Sequence, residues 1–140
     1  MVKIAGYIIA LVGVMLLAQP SAFAEPAGDP VKGIKVFKKC KACHTIEAGK
    51  KKAGGPNLLG VMGRQAGTLD YKYGKSIVEA GEQGLLWTEE KMFDYLRDPK
   101  VFLATELGVG KASVKSRMAY KLKAEDQRAD IIAYLVSLSE

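Results

Sequence analysis

Five residues, Cys40-Lys41-Ala42-Cys43-His44, constrain this chain more than any other stretch. Two thiols three residues apart project from one turn of a helix, and an imidazole follows at once. That spacing lets both sulfurs add to the two vinyl groups of a haem while His44 reaches the iron from one face. A short chain can then wrap around a flat macrocycle that supplies part of its core. Three other uses of the same residues compete with this one. A dithiol redox centre belongs in a strand-then-helix setting, and no strong strand precedes Cys40. A structural zinc site needs four ligands, whereas the chain holds only 2 cysteines and 1 histidine. A disulfide between neighbours on one helical turn would constrain almost nothing. Haem attachment is the reading that the motif favours.

The first 24 residues read as a cleavable export signal. Lys3 gives the positive start, Ile4 to Ala18 is an uncharged apolar run, and Ala22-Phe23-Ala24 offers a small-x-small cleavage pattern. An uncleaved membrane anchor is the weaker alternative, because the run falls short of the ~20 residues that span a bilayer. Export suits the haem reading, since an oxidising compartment would join an unoccupied thiol pair. Residues 25–140 then form one domain. Its 20 basic and 15 acidic side chains leave a balance of +5, which suits docking to acidic protein surfaces. Nucleic acid fits poorly, for there is no recognised binding motif and no aromatic-basic platform.

Along the mature chain the pattern is helical at both ends with loops between. Asp29-Pro30 looks like a helix start, a side-chain acceptor followed by proline in the first turn. Gly33, Val36, Phe37 and Cys40 follow as one stripe. The span from Glu47 to Gly55 is basic and glycine-rich, hence a surface loop. Lys75 to Ala80 reads as a short helix ended by Gly81. Thr88 with Glu89 and Glu90 opens another, with Met92, Phe93 and Leu96 on its buried side and Asp98-Pro99 as its stop. Leu103 to Lys115 has no firm period and reads as loop. A last helix runs from about Ala124 to Ser139, with Ile131, Ile132, Leu135 and Leu138 on its apolar face. No convincing strand emerges, so the expected fold class is all-α.

The sixth position of the iron decides what such a haem can do. A thioether would fill it and favour electron transfer, whereas an open site would allow ligand binding or peroxide chemistry. With the histidine used, methionine is the natural candidate. Met62 lies among Leu58, Leu59 and Val61 and Met92 on the buried side of its helix, both settings for core packing. Met118, in the non-helical Ser116-Arg117-Met118-Ala119-Tyr120, is free to swing over a haem face. By position Met118 leads, with Met92 and an open site behind it.

These residues resemble class I cytochrome c, in particular its mitochondrial and bacterial periplasmic members. Gly28-Asp29 through Phe37, Cys40 to His44, Gly55-Pro56-Asn57-Leu58 with Gly60, and Gly63-Arg64 fall in that family's order. Trp87, Tyr95-Leu96 with Pro99, Met118, and Arg128 to Leu135 continue it. The resemblance implies a cytochrome c fold, with crossing end helices and loops and short helices around one covalent haem c. It implies Cys40 and Cys43 as thioether attachments, and His44 and Met118 as the iron's ligands. The Pro56 carbonyl would accept the other ring hydrogen of His44. Arg64, Tyr73 and Trp87 match positions that hydrogen-bond the inner propionate, and Tyr95 matches the tyrosine near the methionine sulfur. Gly33 and Phe37 would pack against Ile131 and Tyr134. The stretch from Pro99 to Met118 is about ten residues longer than in the short mitochondrial form, a length that surface loops tolerate. Val114-Lys115-Ser116-Arg117 also replaces the usual approach to the methionine.

The implied function is that of a soluble, exported electron carrier rather than an enzyme, a periplasmic monomer with no stable membrane insertion. Lys35, Lys39, Lys100, Arg117 and Lys121 would steer the haem edge toward acidic sites on membrane or soluble redox proteins. An iron-centred enzyme or sensor and a haem-free dithiol module are the competing classes. No acid-base constellation stands beside the motif to favour catalysis.

Overall fold

The computed structural model describes residues 27–139; the expected export signal, residues 1–24, lies outside them. Five α-helices carry the fold: α1 (Pro30–Phe37), α2 (Lys75–Glu82), α3 (Glu89–Arg97), α4 (Pro99–Leu107) and α5 (Glu125–Ser137). Among the described residues the extended structure amounts to one bridge, Gln65 with Leu86. The all-α expectation holds.

α1 begins where the Asp29 carboxylate accepts the backbone N–H groups of Val31 (2.8 Å) and Lys32 (3.3 Å), with Pro30 in the first turn. It buries Gly33, Val36 and Phe37 against α5, which buries Arg128, Ala129, Ile131, Ile132 and Leu135. Gly33 makes the close approach possible. A Cβ there would lie 2.2 Å from the Asp130 carbonyl oxygen and 2.6 Å from Tyr134 Cβ. The neighbours of Gly33 are thus Asp130 and Tyr134, while Phe37 meets the Tyr134 ring edge-on at 5.7 Å. A long-range bond from Asp29 N–H to Asp130 Oδ1 (2.8 Å) closes the same contact.

Two expectations for the middle of the chain need correction. Gly81 does not end α2. The helix runs on to Glu82, and Gly81 lies inside it because a Cβ would fall 2.0 Å from the Ala66 carbonyl oxygen. Leu103 to Lys115 is not a loop throughout. Asp98 ends α3 and at once caps α4, its side chain accepting the N–H groups of Lys100 (3.2 Å) and Val101 (3.3 Å). α4 continues to Leu107 and stops at Gly108, whose φ of 64° provides the left-handed cap. A single 3₁₀ turn, Lys111–Ser113, follows. Regular helix in α1 ends at Phe37, while the apolar stripe continues through a further turn to Cys40, which packs against the core.

The core between the helices is partly aromatic. Trp87, Tyr95 and Phe102 pack in mutual contact, with ring centroids 4.8 to 6.1 Å apart. Phe93 is half-buried, and the Arg128 guanidinium covers one face of its ring at 4.2 Å. Arg128, itself 1% exposed, donates to the carbonyls of Leu122 (2.9 Å) and Lys123 (2.7 Å). It thereby fastens the chain entering α5, a helix whose first residue has no side-chain cap.

Candidate functional site

Beyond α1 the chain tightens into turns. Cys40 N–H donates to the Phe37 carbonyl (2.8 Å), and the N–H groups of Cys43 (3.0 Å) and His44 (2.9 Å) both donate to the Cys40 carbonyl. The motif is therefore one hydrogen-bonded turn after the helix, and it keeps both sulfurs and the imidazole on one wall. That wall belongs to a cavity of ≈ 470 Å³, within the roughly 300–1,000 Å³ of cofactor-sized sites.

The His44 ring is held from two sides. Its Nδ1 lies 2.8 Å from the Pro56 carbonyl oxygen, so Nδ1 carries the proton and donates it. Nε2 is left with a free lone pair. Gly55 supplies the other restraint: a Cβ on it would come within 2.5 Å of His44 Cε1. Burial holds the imidazole below its ordinary pKa, against the opposing effect of the Pro56 bond, and the nearby Lys52 charge adds to the lowering. The neutral form is the one that ligates a metal. Burial also pushes the Cys40 thiol up, more than Lys39 lowers it. A dithiol redox centre requires the opposite shift, so the thiol environment argues against that use.

The turn that bears Pro56 is braced in its own right. Asn57 Nδ2 donates to the carbonyls of Glu47 (2.8 Å) and Lys50 (3.1 Å), and its Oδ1 accepts Leu59 N–H (2.8 Å). Arg64 donates to the carbonyls of Asn57 (2.9 Å) and Leu59 (3.2 Å). Backbone bonds between Trp87 N–H and the Arg64 carbonyl (2.9 Å), and between Gly63 N–H and the Trp87 carbonyl (2.8 Å), set the tryptophan beside the arginine. Arg64, Tyr73 and Trp87 all line the cavity. Part of Arg64's donor capacity therefore serves the loop itself, a role its place in the motif series did not reveal.

Met118 lines the same cavity from a different part of the chain. Its backbone N–H and carbonyl both meet the Ser116 hydroxyl, each at 3.2 Å. Just upstream, Lys115 N–H donates to Ser76 Oγ at 2.8 Å, and Gly74 allows the approach, since its Cβ would lie 2.4 Å from the Lys115 carbonyl oxygen. Arg117 donates to the Lys72 carbonyl and lies over the Tyr71 ring at 5.3 Å. Just downstream, Leu122 N–H donates to the Leu96 carbonyl (2.8 Å). Tyr95 is buried on the cavity wall, its hydroxyl pushed well above the ordinary tyrosine pKa by that burial and partly relieved by the Ser116 hydroxyl. Met92 also reaches the cavity, while Met62 packs against the core. Sequence reasoning missed Ser76 and Ser116, because nothing local marks either as a support for the methionine segment.

The donor set suits a covalently held haem: two thiols, a neutral imidazole with one nitrogen free, a thioether, and a largely apolar wall that includes Ile77, Leu96 and Leu135.

Comparison with known proteins points the same way. The family model for cytochrome c matches residues 30–139. Cytochrome c-551 of Roseobacter denitrificans is 47% identical over 137 residues, spanning 94% of each chain. Cytochrome c2 of Cereibacter sphaeroides is 45% identical over 136 residues, 87% of this chain and 92% of that one. Among solved structures, cytochrome c2 from Rhodospirillum centenum superposes with a TM-score of 0.76 at 43% identity, covering 81% of this chain and 100% of its own.

Proposed function

The chain belongs to the cytochrome c family, carries one covalent haem c and is an electron-transfer protein; from that premise we propose how its own residues hold the group. Cys40 and Cys43 would form the two thioether links, and His44 Nε2 and the Met118 sulfur would ligate the iron. Pro56 holds the His44 ring through Nδ1–H. Arg64, Tyr73 and Trp87, which line the cavity, would hydrogen-bond the inner propionate, and Tyr95 would support the methionine sulfur. When bound, the haem supplies an iron couple that accepts and returns one electron, with a potential raised by His/Met ligation.

The rest is the work of the chain. The bonds on His44, and those on either side of Met118, hold both ligand-bearing segments in place whatever charge the centre carries, so little has to rearrange. The apolar wall limits water access. Lys35, Lys39, Lys100, Arg117 and Lys121 draw acidic docking surfaces of membrane or soluble redox proteins toward the cavity mouth. The protein works as an exported monomer in a periplasm, with residues 1–24 as its cleaved signal. No helix among the described residues is long and apolar enough to cross a membrane.

The observation that carries this reading is the Pro56–His44 bond on a cavity wall shared with Met118. The test is the visible spectrum of the matured protein. The ferric form is expected to show the weak sulfur-to-iron band, and Met118→Ala to abolish it. The same substitution lowers the potential by on the order of 0.2 V, part of the roughly 0.8 V that axial ligands span. A parent protein that is high-spin and takes up carbon monoxide rapidly on reduction would instead have an open iron, and the carrier reading would fail.

A further inference from the structure

One carboxylate joins three separate stretches of this chain around the methionine segment. Asp98 stands in extended conformation between α3 and α4, and its Oδ1 caps α4 through Lys100 N–H (3.2 Å) and Val101 N–H (3.3 Å). Its Oδ2 receives two ammonium groups, Lys121 Nζ at 2.6 Å and Lys111 Nζ at 3.0 Å. Lys111 lies in the 3₁₀ turn ahead of Met118, and Lys121 follows Met118 closely. The two lysines therefore flank the Met118 segment, and a single side chain grips both flanks. The Lys121 and Lys111 contacts and the cap hydrogen bond hold this carboxyl far below the ordinary aspartate range.

We infer that Asp98 is a positioning residue for Met118: with Lys111 and Lys121 it forms an ionic clamp that keeps the 111–121 segment closed over the cavity. The inference rests on Met118 as an axial ligand and adds what holds it there. Other bonds fix nearby points, Lys115 to Ser76 and Leu122 to Leu96, but Asp98 is the group that ties one flank to the other. Opening the segment would withdraw the sulfur and expose the iron to an outside ligand. The clamp thus sets how often that happens, and through it the selectivity for electron transfer over ligand binding.

Asparagine caps a helix about as well as aspartate does, so Asp98→Asn keeps the α4 cap and removes the charge. In the matured ferric protein, Asp98→Asn is expected to raise the affinity for added imidazole about tenfold. The double variant Lys111→Gln/Lys121→Gln is expected to do the same, and it carries the test if Asp98→Asn does not accumulate. Gly33→Ala, which strains the distant α1–α5 contact, serves as the control for general destabilisation and should leave imidazole affinity within twofold of the parent. The clamp is overturned if the charge-removing variants stay within twofold of the parent, or if Gly33→Ala raises the affinity as much as they do. Failure of the underlying assignment has a different signature: the parent itself would lack the sulfur-to-iron band, or keep it in Met118→Ala.

Discussion

His44 has one productive tautomer and one ring position here; the Pro56 carbonyl sets the first and Gly55 helps to set the second. The Pro56 carbonyl takes the Nδ1 proton at 2.8 Å, and Gly55 lies so close that no side chain fits between it and the ring. Orientation by a carbonyl acceptor fixes both the ring and the basicity of the other nitrogen. The Gly55 contact is steric and can be tested separately. In Gly55→Ala the new methyl would fall 2.5 Å from His44 Cε1, so the ring or the loop must shift. Overpacking of this kind costs about 1–3 kcal/mol. Denaturant unfolding of the matured protein should register that loss, and the ferric spectrum should show a perturbed axial field. Unchanged stability together with an unchanged spectrum would mean that the loop yields freely and that Pro56 alone positions the ring.

At the scale of elements, the α1–α5 contact shows steric fit outweighing local propensity. Alanine is favoured over glycine inside a helix by about 1 kcal/mol, so propensity alone would make Gly33→Ala stabilising. The methyl would instead meet the Asp130 carbonyl at 2.2 Å, and a clash with backbone costs up to about 3 kcal/mol. The net expectation is a loss of roughly 2 kcal/mol, read as a lower denaturation midpoint. Gly110→Ala, where a Cβ would meet nothing within 4 Å, should stay within about ±0.5 kcal/mol. A stabilised Gly33→Ala would show that the helices can slide apart. The same elements show what a sequence makes legible. Asp29-Pro30 and Thr88-Glu89-Glu90 announce helix starts through local chemistry, and the cysteines and His44 announce their use through spacing. Asp98-Pro99 carries the same start signal as Asp29-Pro30, but coming after a helix it reads only as a stop. α4 buries Pro99, Phe102 and Leu103 on one face, but Ala104 is buried off that face and the apolar Val101 is exposed, so apolar residues run around the helix and no clean stripe marks it. Gly81 reads as a terminator because its partner, Ala66, is distant in sequence. The supports of Met118 are likewise long-range contacts, and local pattern cannot contain them.

For the whole molecule the decisive property is the placement of its positive charge. Lysines make up much of the surplus, yet they are not equivalent. Lys111 and Lys121 share Asp98, Lys91 holds Glu106 and Lys51 holds Asp70. Among the ion pairs of the described residues, Lys35, Lys39 and Lys100 have no carboxylate partner, and all three are exposed. Lys39 also lines the cavity, where it donates to Gln127 at 2.9 Å. A partner bearing an acidic site can pair with these three without first breaking an internal ion pair, Lys39 giving up only its bond to a neutral amide. Their combined field should therefore govern encounter, while each alone contributes little, as exposed single pairs do. Reversing all three to glutamate is expected to slow second-order electron transfer with an acidic partner at least tenfold at low ionic strength. It should also flatten or invert the salt dependence, and with a partner of basic docking surface the rate should rise. Near 1 M salt, where the screening length shrinks to about 3 Å, parent and variant should converge, because steering has vanished. Stopped-flow rates across a salt series measure all of this. An unchanged slope in the triple variant would place the docking surface elsewhere on the molecule, and a difference persisting at high salt would mean that the substitutions had disturbed the site rather than the approach to it.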